Sequence, residues 1–229
     1  MELNLTPRLR TVADRVPRGA RLADVGTDHA YLPAWLLLAG KIPSAVCTDL
    51  RPGPLERAGE TVRTWDVADK VSLRLCDGLK GVAPEEVDCV AIAGMGGETI
   101  RHILKEAPWA AGKPCVVQPM SSLSDLRGGL GALGLHVASE TIAKEGETLY
   151  VVMDLAAGAE GPLTAAEVQV GRAENHRGDP LWPEYLGKEI KRLRRALAGL
   201  ERSKKPEDEP RRRELQAALA GMEHMMEGI

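Results

Sequence analysis

Acidic side chains stand just beyond the ends of three successive apolar runs in this 229-residue chain: Asp28 after LADVG, Asp49 closing SAVCTD and Asp77 closing VSLRLCD. If the runs are neighbouring parallel strands, these ends share one edge, and open α/β sheets bind ligands along that edge. Asp49 lies 23 residues after Gly26, the spacing at which an acid accepts hydrogen bonds from ribose hydroxyls. Asp77 is placed to accept from an adenine amino group. The competing reading is that such carboxylates only cap the helices that follow. Three at three consecutive strand ends favour a ligand with positive charge and several donors.

The first turn, GTDHAY, narrows the ligand. A dinucleotide fingerprint needs glycines at positions 26, 28 and 31, and the chain supplies Gly26, Asp28 and Tyr31. A carboxylate there repels a pyrophosphate. S-adenosylmethionine carries no phosphate, but it has an ammonium, a sulfonium, a ribose diol and an adenine, so Gly26 with a neighbouring acid suits it. IAGMGGE (92–98) ends a later run, and Gly94, Gly96 and Gly97 let backbone approach a ligand closely; a plain glycine turn is the alternative. Gln118 in VVQPM can hydrogen-bond a base edge or belong to a simple turn. The five histidines have no metal-ligand spacing and no metal is expected. No HExxH, Ser-His-Asp pattern or P-loop supports a hydrolase or NTPase.

These residues need elements to hold them. Thr6 followed by Pro7 starts a helix with Leu5, Leu9, Val12 and Val16 on one face. RLADVG, SAVCTD, VSLRLCD, VDCVAIAG and PCVVQP read as buried strands, most of them separated by helical segments, which requires a parallel sheet. LHVASETIA and ETLYVVMDLAA are joined by KEG and form an antiparallel hairpin. Five parallel strands and a terminal hairpin make the seven-stranded, Rossmann-like α/β methyltransferase layout. AGAEGP (157–162) reads as a hinge between a catalytic domain (1–160) and a helical domain (161–229). In the latter, Thr164 and Glu167 form a capping box. Leu186, Ile190, Leu193, Leu197 and Leu200, then Leu215, Leu219, Met222, Met226 and Ile229, step by four and three as a heptad seam. Pro206 and Pro210 turn the chain, giving an antiparallel coiled coil of two helices, each about 30 Å long.

Composition agrees with a globular protein: 44% apolar and 28% charged residues suffice for a full core. No run of about 18 apolar residues spans a membrane, and no signal core is present, so a cytoplasmic protein is expected. Cys47, Cys76, Cys89 and Cys115 form no CxxC and read as reduced core residues. Residues 187–213 hold eleven Lys/Arg against five Asp/Glu in a chain of net charge −3. This basic arm is either the solvated face of the coiled coil or a phosphate-binding surface. Arg8, Arg10, Arg15, Arg18 and Arg21 suggest a second basic cluster near the ligand edge. Tyr31 can stack on a base, whereas Trp35 fits core packing better. His102 reads as a partly exposed helical residue.

ADVGTDHAYLP, DGL at 77–79, AGMGG at 93–97 and QP at 118–119 together resemble the bacterial tRNA adenine-N1 methyltransferases that modify position 22. The resemblance covers essentially the whole chain. Some relatives carry Glu where Asp49 stands and Asn where Met120 stands. It implies S-adenosyl-L-methionine as donor and tRNA as acceptor for a monomer or weak dimer. The expected cofactor residues are Asp24, Gly26, Thr27, Asp28, Asp49, Leu50, Asp77, Gly78, Gly94, Met95 and Gly96. Asp28, His29 and Tyr31 are the catalytic candidates: N1 of neutral adenine bears no proton, so no strong base is needed. A carboxylate facing the purine stabilises its developing positive charge. Arg8, Gln118, Pro119, Lys188, Arg192 and Arg195 are the expected tRNA contacts. A related methyltransferase for another RNA or a small molecule, or a non-catalytic RNA-binding protein, are the alternatives.

Overall fold

A computed structural model describes residues 2–159, 161–201 and 206–229. Seven strands form one sheet in the order β3-β2-β1-β4-β5-β7-β6. β1 (Leu22–Val25), β2 (Ala45–Asp49), β3 (Val71–Leu75), β4 (Cys89–Gly96) and β5 (Cys115–Ser121) run parallel. β7 (Thr148–Ala157) lies antiparallel between β5 and β6 (Leu135–Glu145). β1 is buried along its whole length, as expected of a strand covered on both faces.

Alternate residues feed two cores. Ala23, Val25, Val90, Ile92 and Val117 join one apolar cluster, while Leu22, Cys89, Ala91 and Val116 join the other, as the period of two requires. α1 (Pro7–Arg15), α2 (Tyr31–Leu38) and α3 (Pro52–Thr64) cover one face; α4 (Gly97–Glu106) and α5 (Leu123–Leu130) cover the other. Thr6 caps α1 as expected, its Oγ1 accepting from Leu9 N–H. Cys47, Cys89 and Cys115 are buried free thiols, but Cys76 is only half-buried, because it lies past the end of β3.

β1 runs toward the ligand edge, so Arg21, which precedes it, sits at the opposite edge and pairs with Asp88. Arg15 is tied to Asp154 and Ser139, and Arg18 reaches the Gly40 carbonyl. Arg10 pairs with Asp14 and lies over the Trp35 ring. The expected second basic cluster is therefore dispersed, and Arg8 alone remains beside the strand ends.

The C-terminal helices are α6 (Ala165–Val170), α7 (Trp182–Glu201) and α8 (Glu209–Glu227). The Thr164–Glu167 capping box closes both of its hydrogen bonds. Gly187 lies against Met226, Arg194 pairs with Glu223, and Arg212 donates to the Leu200 carbonyl. Rising numbers on α7 meet falling numbers on α8, so the two helices are antiparallel. Leu186, Ile190, Leu193, Leu197, Leu215 and Met222 are buried, joined by Ala218. Ile229 is exposed, because α8 ends at Glu227 and leaves it beyond the seam. The seam shares its core with the sheet: these side chains belong to the same apolar cluster as Ile92 and Met153. Position 160 of the expected hinge and residues 202–205 of the basic arm lie outside the described residues.

Candidate active site

The carboxyl ends of β1 to β4 enclose a cleft of about 390 Å³. Gly26 turns the chain out of β1 at φ 69°, a conformation that favours glycine. A Cβ there would overlap the Met95 methyl group, so Gly26 and Met95 close against each other across the cleft. The turn is tied down by Thr48. Its carbonyl accepts from Gly26 N–H at 2.8 Å and Thr27 N–H at 3.0 Å, while its hydroxyl donates to the Gly78 carbonyl at 2.9 Å. One residue of β2 thereby couples the loops after β1 and β3.

Asp24 and Thr27 do not line the cleft. Asp24 is buried beneath it, its Oδ2 accepting from Thr27 Oγ1 at 2.5 Å. Burial pushes the Asp24 carboxyl up to about 6, against the opposing effect of the Thr27 hydrogen bond. Their place is to brace the turn rather than to touch a ligand.

Asp28 does line the cleft, exposed and in the left-handed region at φ 48°. It pairs with Arg57 of α3, and His29 Nε2 lies 3.7 Å from its other oxygen. The His29 ring stacks on Tyr31 with centroids 5.1 Å apart and planes 5° from parallel. Tyr31 is exposed at the start of α2, which leaves a flat aromatic pair beside Asp28.

Asp49 accepts from Arg51 N–H at 3.0 Å and lines the cleft, with Leu50, 68% exposed, at its lip. Asp77 is held by Lys80 at 2.7 Å, and that hydrogen bond and charge keep its carboxyl below the usual range. Gly78, Gly94, Met95 and Gly96 complete the strand-end side. Thr99, His102 and Ile103 of α4 form a further wall that sequence reasoning missed. Their i, i+3, i+4 spacing directly after AGMGG was the available signal. His102 is exposed on its helix, as expected, and it also faces the cleft.

Gln118 is not a base reader. It is fully buried, and its Oε1 accepts from Arg8 Nη1 at 2.6 Å and Gly94 N–H at 3.1 Å. Its amide nitrogen donates to the Pro119 carbonyl at 2.8 Å. With both amide ends committed, it locks the β4 and β5 ends together and fixes Arg8. Arg8 also bonds through its N–H to Glu145 and stands 5.6 Å from the Tyr150 centroid. On α7, Lys188 is engaged by Glu184 and the Glu147 carbonyl, and Arg192 by Glu189 and Gln169. Arg195 is exposed, with no partner among the described residues.

The cleft fits a cationic nucleoside-type donor. Its lining presents carboxylates at three strand ends and open backbone at Gly94, and it has no P-loop. Among the described residues no group of three or more His, Cys, Asp or Glu is placed to hold a metal ion. No helix there is long and apolar enough to cross a membrane.

Comparison with known proteins gives concordant likenesses. Residues 5–153 match the family model described as a methyltransferase domain. The chain is 36% identical over 159 residues to the tRNA (adenine(22)-N(1))-methyltransferase of Bacillus subtilis, covering 69% of this chain and 67% of that one. Among solved structures it is similar to the B. subtilis M1A22 tRNA methyltransferase TrmK, with TM-score 0.87 and 27% identity over 98% of this chain and all of that one. It is also similar to Streptococcus pneumoniae Sp1610 in complex with S-adenosyl-L-methionine, with TM-score 0.83 and 30% identity over 97% of this chain and all of that one.

Proposed function

Because the chain belongs to the tRNA (adenine(22)-N(1))-methyltransferase family, we propose that it transfers a methyl group from S-adenosyl-L-methionine to N1 of adenine 22 in tRNA. The observation that carries this reading is the cleft itself: acids at three strand ends, with Asp28 carried on the turn beside a stacked His29–Tyr31 pair. Asp49 and Asp77 suit the ribose and adenine of the donor, and Gly94 admits it closely to backbone. When bound, the donor supplies an electrophilic methyl group on a sulfonium, open to in-line attack by N1.

The protein's task is then positioning and charge. Adenine N1 carries no proton to remove, so alignment supplies most of the rate gain. The methylated purine is cationic, and the Asp28 carboxylate stabilises that charge as it develops. The exocyclic amine of the base donates to the same group. Tyr31, backed by His29, gives the unstacked base a face to lie on. Arg57 must leave Asp28 for this to happen. Both partners are about half exposed, and such pairs contribute only about 0–1 kcal/mol, so an arriving base displaces it readily. Arg8, held by Gln118, offers a cation at the acceptor side. The enzyme is expected to work in the cytoplasm, as a monomer or weak dimer. Mass spectrometry of nucleosides from tRNA lacking the modification, after incubation with protein and donor, should show 1-methyladenosine mapped to position 22. No methylated adenosine would overturn the reading.

A further inference from the structure

A second cavity, of about 360 Å³, opens beside the cleft. It is bounded by the β5–α5 junction, β7, α6 and α7, and includes Ser122, Ser124, Tyr150, Gln169 and Arg192. Pro119, which also lines it, pairs with Met95 of the cleft across the β4–β5 ladder, and Ser121 pairs with Gly96. Lining residues of the two cavities therefore face each other across the β4–β5 ladder, whose strands lie about 4.8 Å apart, on the same edge of the sheet.

Its chemistry is that of a donor-rich pocket. α5 begins at Leu123 with Ser122 left-handed and no side-chain cap, so the first N–H groups of that helix lack helical partners. Gln169 is more than nine-tenths buried. Its Oε1 accepts from Arg192 Nη2 at 3.2 Å, which turns the amide nitrogen away from Arg192. That nitrogen has no hydrogen-bond partner among the described residues. Glu189 is the carboxylate in the lining, and Arg192 Nε engages it at 2.6 Å. Oriented amide donors, a helix N-terminus and a guanidinium suit a phosphate. The Tyr150 ring adds a surface for a sugar or base.

Resting on the functional reading above, we infer that this cavity is a subsite for the RNA nucleotide adjacent to the target adenosine, gripped through its phosphodiester. A strand that delivers its base to the cleft carries the neighbouring linkage over β5, and the donors of Gln169, Arg192 and the α5 N-terminus meet it there. The subsite would hold the backbone while the base is unstacked.

The test uses the full chain and tRNA transcripts in which one linkage flanking adenosine 22 is an uncharged methylphosphonate. With wild type, one of the two substituted transcripts should bind roughly tenfold more weakly, the effect of about one charge-assisted hydrogen bond. Gln169→Glu keeps the shape but sets a carboxylate toward the cavity. It should bind the normal transcript about tenfold more weakly, lose the response to the methylphosphonate, and show a salt slope smaller by roughly 0.7–0.9. Donor affinity by calorimetry should stay unchanged. Ser124→Asp, at a partly exposed position, should behave alike if Gln169→Glu does not fold. Wild type indifferent to both substitutions, or variants that respond to them as fully as wild type, would overturn the subsite. If wild type methylates tRNA yet ignores the linkages, only the subsite falls; if it methylates no tRNA, the functional reading falls with it.

Discussion

Asp28 and Asp24 stand four residues apart, and their surroundings give them different work. Asp28 sits in the left-handed region, which asparagine and aspartate tolerate better than other non-glycine residues; its charge is exposed and paired with Arg57. Asp28→Asn should bind the donor within a few-fold of wild type by calorimetry yet lose methyl transfer in a tritium assay. Parallel loss of both would mean that Asp28 only shapes the turn. Asp24 is buried, and its carboxyl is raised to about 6 chiefly by that burial. An acid raised in the folded state favours folding when protonated, so its contribution falls as pH rises from its ordinary value near 4 to about 6. A cationic donor bound above it favours the charged form. Donor binding near pH 6 should therefore release a fraction of a proton, and near pH 8 almost none. Calorimetry in buffers of different ionisation enthalpy reads this directly; enthalpies independent of buffer at pH 6 would refute it.

Among the elements, α7 carries most of the ambiguity of the basic arm. Amphipathic spacing turns one face inward, and the structure neutralises much of the other: Lys188, Arg192 and Arg194 each meet a glutamate. Lys191 and Arg195 are exposed with no partner among the described residues, so they are the cations of α7 free to meet phosphates other than the one assigned to Arg192. Replacing both by alanine should lower the salt dependence of tRNA binding, by roughly 0.7–0.9 in slope for each phosphate left unneutralised, with donor affinity and melting temperature held. An unchanged slope would assign this face to solvation alone. The α4–α5 packing follows a different rule. Gly97 leaves no room for a Cβ against the Ser122 carbonyl, so the glycine that reads as a loop residue is also the packing point of two helix starts.

The whole molecule is joined at one buried polar cluster. Arg127 of α5 donates to Glu140 of β6 at 2.8 Å, and His176 Nε2 lies 3.2 Å from the other Glu140 oxygen, all three side chains almost fully buried. His176 stacks on Trp182 with centroids 4.1 Å apart, which links the cluster to α7. Gly171, at φ 86°, has no space for a side chain beside the Glu140 carboxylate. Burial alone would raise Glu140, but the Arg127 charge, with His176, outweighs it and holds the carboxyl below the ordinary range. A lowered acid stabilises the fold above its ordinary pKa, near 4.5, and that stability is lost as pH falls through the folded value. Glu140→Gln should cost about 3–5 kcal/mol at neutral pH, because it strands the Arg127 charge. Its stability should also fall less steeply than that of wild type below pH 4.5. Urea unfolding across pH measures both; a loss under about 1 kcal/mol at neutral pH would show the cluster is not a joint.

Sequence periodicity determined the strands, the parallel-then-hairpin order, the capped helices and the apolar seam between α7 and α8, because alternation and heptad spacing are local properties. It also located the cleft, since strand ends of a parallel sheet must share an edge, and Asp28, Asp49, Gly26 and Gly94 could be named from it. Tertiary structure alone decided what each polar group does there. Asp24 and Thr27 withdrew beneath the turn, Gln118 committed its amide inside the protein, Arg57 arrived from 29 residues away to meet Asp28, and the arginines between positions 8 and 21 dispersed to separate partners. Those outcomes depend on burial and on partners distant in the chain, which no spacing encodes.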